Sequence, residues 1–218
     1  MKLNTCISQP SGEQIMDSVL FVGAHPDDVE TGALGLLLNL SARAKVHYLV
    51  MSKCQDIPRN THILDEYMEV TKRLHVSSQI LDLPNRQIEN HGQEMRDVLE
   101  RYRDSDTIRL VACPSINDIH QDHKAVADEV VRVFRHSTVL FFEVPHSCPF
   151  FEPRFFYPLN ESTAQKKLEI VGLYKSQRAQ KYVQADAILG TMRMRGVQCG
   201  SEYAEAYEVW RIVGGLSV

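Results

Sequence analysis

Two short stretches of this chain combine imidazoles with carboxylates in a pattern suited to metal-assisted hydrolysis. The first is Ala24-His25-Pro26-Asp27-Asp28-Val29-Glu30, and the second is Pro114-Ser115-Ile116-Asn117-Asp118-Ile119-His120-Gln121-Asp122-His123. One imidazole from each stretch and one carboxylate from the first give two histidines and an acid, which leaves a coordination position open for water. A further carboxylate beside such a set is a candidate base for that water. Both stretches also have plain structural readings. Asp27, Asp28 and Asp122 are residue types that cap helix N-termini, and a single histidine at a strand end is usually only hydrogen-bonded.

The elements that must bring the two stretches together follow from hydropathy. Apolar or β-branched runs at 18–24, 45–51, 78–83, 107–113 and 138–144 read as strands. Between them, Ile63, Tyr67, Val70 and Leu74, then Met95, Val98, Leu99 and Tyr102, then Val126, Val130, Val133 and Phe134 recur at helical intervals. Strand–helix alternation predicts an α/β, three-layer, Rossmann-like fold: a mostly parallel sheet of order 3-2-1-4-5 plus a C-terminal strand, with helices on both faces. In that order strands 1 and 4 are neighbours, so the two polar stretches leave the same edge of the sheet, where such folds place their sites. Neither an internal repeat nor a linker interrupts the 218 residues, and one domain over 1–218 is expected.

Composition narrows the partners. A formal charge of −4 without a lysine or arginine block argues against nucleic acid, and the longest apolar runs are too short to span a bilayer. With no basic-then-apolar leader, the expectation is a cytoplasmic protein acting on a small molecule. The five cysteines (Cys6, Cys54, Cys113, Cys148, Cys199) are scattered and suggest reduced thiols, with burial explaining Cys113. Prolines alternating with Phe150, Phe151, Phe155, Phe156 and Tyr157 predict an ordered loop over 146–160, packed on the core or walling a pocket.

The paired motifs His25-Pro26-Asp27-Asp28-Val29-Glu30 and His120-Gln121-Asp122-His123 resemble those of the LmbE-like, or PIG-L, family of zinc-dependent N-acetylglucosaminyl deacetylases. Weaker echoes are Leu83-Pro84, Tyr174-Lys175-Ser176-Gln177, Arg195-Gly196 and Tyr203-Ala204-Glu205-Ala206-Tyr207. The resemblance implies removal of an N-acetyl group from an amino sugar or sugar conjugate. It implies His25, Asp28 and His123 as ligands of Zn2+, with Fe2+ as the alternative in the cell. Asp27 would be the base acting on metal-bound water, His120 the group that stabilises the oxyanion, and Asp122 the residue that orients an imidazole. It also brings the expectation of a homo-oligomer, since family members often assemble.

The chain departs from the family at two places. Where an arginine commonly precedes a glutamate by three residues, alignment on Glu66 finds Ile63; Arg59, about one helical turn earlier, reads equally as a residue that reaches the same space and as a solvated loop residue. Gln121 stands where proline is common, which affects loop rigidity rather than ligation. Glu143 and His146, past the fifth strand, join Arg59 as candidate substrate-binding residues, while His47, His62, His75, His91 and His136 read as structural. Two other classes compete with the deacetylase. One is a nucleotide-binding Rossmann-like protein, disfavoured because Gly23, Gly32 and Gly35 lack the phosphate-cradling spacing and two aspartates would repel pyrophosphate. The other is a non-catalytic metal sensor, for which Asp27 would be superfluous.

Overall fold

The computed structural model describes residues 18–214; Cys6 and both ends of the expected 1–218 domain lie outside the described residues. Seven strands form one sheet: β1 (Ser18–Gly23), β2 (Lys45–Val50), β3 (Ser77–Ile80), β4 (Ile108–Pro114), β5 (Thr138–Phe142), β6 (Phe155–Leu159) and β7 (Tyr203–Arg211). Their order is β3-β2-β1-β4-β5-β7-β6, parallel through β5, with β7 and β6 added antiparallel. The expected 3-2-1-4-5 order and the C-terminal strand are both present.

Alternation along the strands assigns the faces. Val19 and Phe21 of β1 pack with α1 (Asp28–Leu40) and α2 (Ile63–Leu74), whereas Leu20 and Val22 pack with α3 (Gly92–Ser105) and α4 (Gln121–Val133). Every residue of β1 is buried, as a central parallel strand covered on both sides requires. Close packing of α1 on β5 depends on Gly32, where a Cβ would overlap the Phe142 ring. A third cluster joins α5 (Glu161–Val171) and α6 (Ala185–Cys199) to β6 and β7.

The 146–160 region corrects the expectation of a loop throughout. Phe155, Phe156 and Tyr157 enter the edge strand β6, and Pro158 is tolerated there because an edge strand has a side that needs no ladder hydrogen bond. The third strand is shorter than 78–83: pairing ends at Ile80, although the amides of Leu81 and Leu83 still bond to Val50 and Met51. Cys113 is fully buried within β4, and burial pushes its thiol well above the ordinary range. Among the described residues no helix is long and apolar enough to cross a membrane.

Candidate metal centre

β1 ends at Gly23, and the chain turns through His25, Pro26 and Asp27 into α1. Asp28 does not cap that helix. Its Oδ2 accepts from the amides of Ala24 and His25, both at 2.9 Å, and so clamps the turn backwards onto the strand exit. Asp27 makes no capping bond either; its backbone is left-handed (φ 88°), a conformation costly to most L-residues and tolerated best by Asp, Asn and Gly. β4 ends beside β1, and the following loop starts α4 with His120 as its N-cap. Asp122 is likewise no cap: it accepts from the amides of Arg86 (2.7 Å) and Ile88 (3.2 Å) and from His25 Nε2 (3.0 Å).

These bonds decide which nitrogens are free. His25 gives its Nε2 proton to Asp122, so Nδ1 carries the lone pair; His123 gives its Nδ1 proton to Asp118 (2.8 Å), so Nε2 carries the lone pair. The two free nitrogens lie 3.3 Å apart, His123 Nε2 is 3.3 Å from Asp28 Oδ1, and His25 Nδ1 is 3.7 Å from Asp28 Oδ2. Zinc bonds of about 2.0–2.1 Å in a tetrahedron imply ligand separations of about 3.3 Å. The donor set therefore suits zinc in type and spacing. A second grouping, His25, His120 and Asp122, is also compact, but the Asp122 oxygens are already committed to two amides and an imidazole.

Electrostatics divide the two aspartates. Burial would raise the Asp28 carboxyl, yet the charges and hydrogen bonds of His123 and His25 overcome it and hold Asp28 well below the usual range. Asp27 is pushed the other way, first by burial and then by the charges of Asp28 and Glu30. Its Oδ2 is the acceptor for the Tyr182 hydroxyl at 3.5 Å. His120 is lowered to about 4 by burial and the adjoining imidazoles; with Nδ1 accepting from the Asp122 amide, the neutral ring carries its proton on Nε2.

His25, Asp27, Asp28, His120 and His123 line one cavity of about 320 Å³, near the lower end of the range for small-molecule sites. Arg59, Ile63 and His146 line it as well, so the predicted substrate candidates Arg59 and His146 are brought to the site. Glu143 is not. Its carboxylate forms a buried two-pronged pair with Arg195 (both 2.7 Å), away from this cavity. Asp118 has no role in the sequence-based reading, although its carboxylate holds His123, the His120 amide and the Ser147 hydroxyl. Its position five residues before His123 was the available signal. Gln177, bonded to Asn60 and part of the Tyr174-Lys175-Ser176-Gln177 echo, also lines the cavity from the C-terminal segment, as does Tyr182, stacked on His146 (centroids 5.2 Å apart), for which the sequence offers no signal.

The family model PIG-L, described as GlcNAc-PI de-N-acetylase, matches residues 20–134, a span that includes both motif loops. No curated protein matches the chain. Among solved structures, the conserved protein TT1542 from Thermus thermophilus is similar, with 22% identity over 92% of this chain and 97% of that one and a TM-score of 0.76. N,N'-diacetylchitobiose deacetylase from Pyrococcus horikoshii has 14% identity over 88% and 83% of the two chains (TM-score 0.71). GalB, the 4-carboxy-2-hydroxymuconate hydratase of Pseudomonas putida KT2440, has 19% identity over 93% and 100% (TM-score 0.66). At these identities the likeness is one of fold, and the fold serves more than one reaction.

Proposed function

The chain belongs to the PIG-L family of de-N-acetylases, and on that premise we propose that it is a zinc-dependent hydrolase that removes the N-acetyl group from an N-acetylated amino sugar or sugar conjugate. The observation that carries this reading is the convergence of three free donor atoms, on His25, Asp28 and His123, with a buried carboxylate, Asp27, that caps nothing. A nucleotide site would not place two aspartates at the first strand–helix turn, and a metal sensor would not need the second of them.

When bound by His25, Asp28 and His123, zinc supplies a Lewis acid for the amide carbonyl and makes water ionisable near neutral pH. Asp27 accepts the proton of the attacking water and returns it to the amide nitrogen as the C–N bond breaks, so one carboxylate serves both transfers. Its raised affinity for protons suits the second role. His120 directs its Nε2 proton at the oxyanion that develops on the carbonyl oxygen. Asp122 and Asp118 act through His25 and His123, fixing ring orientation and tautomer. Ferrous iron is the alternative metal for the same donors.

The test is acetate release by zinc-loaded protein from a panel of N-acetylglucosamine glycosides and conjugates. Release from at least one is expected. A protein that holds one zinc per chain and releases acetate from none would overturn the deacetylase reading.

A further inference from the structure

The carboxylates around the metal donors are not held alike. Asp28 accepts from two amides, Asp122 from two amides and an imidazole, and Asp118 from an amide, an imidazole and a hydroxyl. Asp27 differs. Among the described residues its carboxylate has one hydrogen bond, from the Tyr182 hydroxyl to Oδ2 at 3.5 Å. A metal ligand or an orienting acid can be fixed through all its oxygens, but a base must keep one oxygen unbonded to take a proton. A single donor on Oδ2 meets both needs: it restrains the rotation of the carboxylate and leaves Oδ1 open. The bond is long, and catalytic hydrogen bonds commonly tighten only when substrate fills the site.

An aromatic residue on a cavity wall is often there only for packing, and the Tyr182 ring does pack. It lies on the short turn Lys181–Val183, bracketed by bonds from the Gln180 amide to the Gln177 carbonyl and from the Ile188 amide to the Gln184 carbonyl at the start of α6. Val183 is buried in the cluster of α5, α6, β6 and β7, and the Tyr182 ring packs against that cluster and against the one beneath α1 and α2. One face stacks on His146, with the ring planes 18° apart. His146 is tethered in turn by the next residue, since the Ser147 hydroxyl donates to Asp118 and the Ser147 carbonyl accepts from the Ile119 amide. Asp118 also holds His123, so one frame orients a metal ligand and places the tyrosine beside the base. Phenylalanine would satisfy every one of these packing contacts. The hydroxyl is the part that packing does not explain. The charge of Asp27 and burial push it far above the usual phenol range, which keeps it a donor.

We propose that Tyr182 is a positioning residue for the reaction: its hydroxyl holds Asp27 Oδ2 so that Oδ1 is the oxygen that exchanges protons. The proton of the attacking water goes to Oδ1 and then to the nitrogen of the departing amine, while the phenol proton stays on Tyr182 throughout. Its part in the reaction rests on the deacetylase reading; the hydrogen bond does not.

The first arm of the test needs no turnover. Tyrosine isotope-labelled at Cζ is followed by nuclear magnetic resonance in the full chain, with and without zinc, and the signal lost in Tyr182→Phe belongs to Tyr182. Asp27→Asn should move that signal, because an amide accepts from the phenol more weakly than a carboxylate does. Asp106→Asn, at the amino end of β4, should leave it in place. The second arm measures turnover of the conjugates that release acetate. Tyr182→Phe should lower kcat at least about tenfold, the worth of one hydrogen bond to a charged group, with KM within about twofold and zinc retained. In the Asp27→Asn background the same substitution should change kcat by less than about twofold, since no base is left to position. Thermal unfolding should show the phenylalanine variant folded. A signal that moves with Asp27→Asn in a protein releasing no acetate would sustain Tyr182 as the partner of Asp27 and sink the deacetylase reading. A signal indifferent to Asp27→Asn, a raised KM at unchanged kcat, or an undiminished loss in the Asp27→Asn background would each overturn the proposal.

Discussion

At the amino ends of β2 and β4, Lys45 Nζ (2.6 Å) and His47 Nε2 (3.0 Å) both reach Asp106 Oδ2. At the carboxyl ends of β1 and β4, His25 and His123 instead turn one nitrogen each toward Asp122 and Asp118 and leave the other facing Asp28. Histidine and aspartate meet at both ends of the same sheet, yet only one end leaves free lone pairs converging on a point. The amino end already contains its cation, the Lys45 ammonium, and closes as an ordinary ion cluster. The carboxyl end has its imidazole protons drawn outward by buried carboxylates, which is what a metal site requires of its surroundings. Residue type is therefore a poor guide to a metal centre, and the fate of each ring nitrogen is a good one.

The largest test of this contrast is Asp27→Asn. It removes the group that moves protons and leaves the ligand set intact, so acetate release should fall by about 10²–10⁴ while elemental analysis still finds one zinc per chain. Asp106→Asn at the opposite end should change neither quantity. Loss of zinc from the Asp27 variant would reverse the assignment of base and ligand between Asp27 and Asp28.

An intermediate effect is expected from Asp118→Asn. The amide can no longer draw the Nδ1 proton of His123 as a carboxylate does, and zinc affinity should fall about 10- to 100-fold in a chelator competition. His47→Ala should leave zinc affinity unchanged. If the two substitutions weaken zinc equally, the ends of the sheet do not differ in the way their hydrogen bonds indicate.

The parts that were legible in the sequence are those set by period and by local residue type. Burial on both faces makes β1, β2 and β4 nearly continuous apolar runs, and the strand order then puts His25 and His123 at neighbouring exits. What escaped was set by tertiary pairing. Glu143 is followed by His146 in a chemically suggestive stretch, but Arg195, 52 residues away, turns its carboxylate into a structural pair. Aromatic residues between prolines read as a loop, and β7 recruits part of that segment into β6 because its outer edge needs a partner. Tyr182 carries no periodic or motif signal at all; its interest lies in a hydroxyl contact that only the structure reveals.

The smallest effect concerns the amino end alone. The Lys45 hydrogen bond is the chief cause that holds the Asp106 carboxyl below the usual range, against a modest opposing effect of burial, with His47 adding to it. A carboxyl whose folded pKa is depressed favours the folded state while it is charged. Its contribution is complete above the ordinary aspartate value of about 3.9 and is lost as the pH falls through the lower folded value. Asp106 and Lys45 are both partly exposed, so the amount is that of a surface pair, about 0.2–1 kcal/mol. Urea unfolding of metal-free wild type and Asp106→Asn should therefore differ by about that amount at pH 7 and converge as the pH falls below the depressed value of the folded carboxyl. A difference of several kcal/mol would mean that the cluster is shielded from water like the carboxyl-end donors, and the closure of the amino end by Lys45 would then be a major element of stability rather than a solvated ion pair.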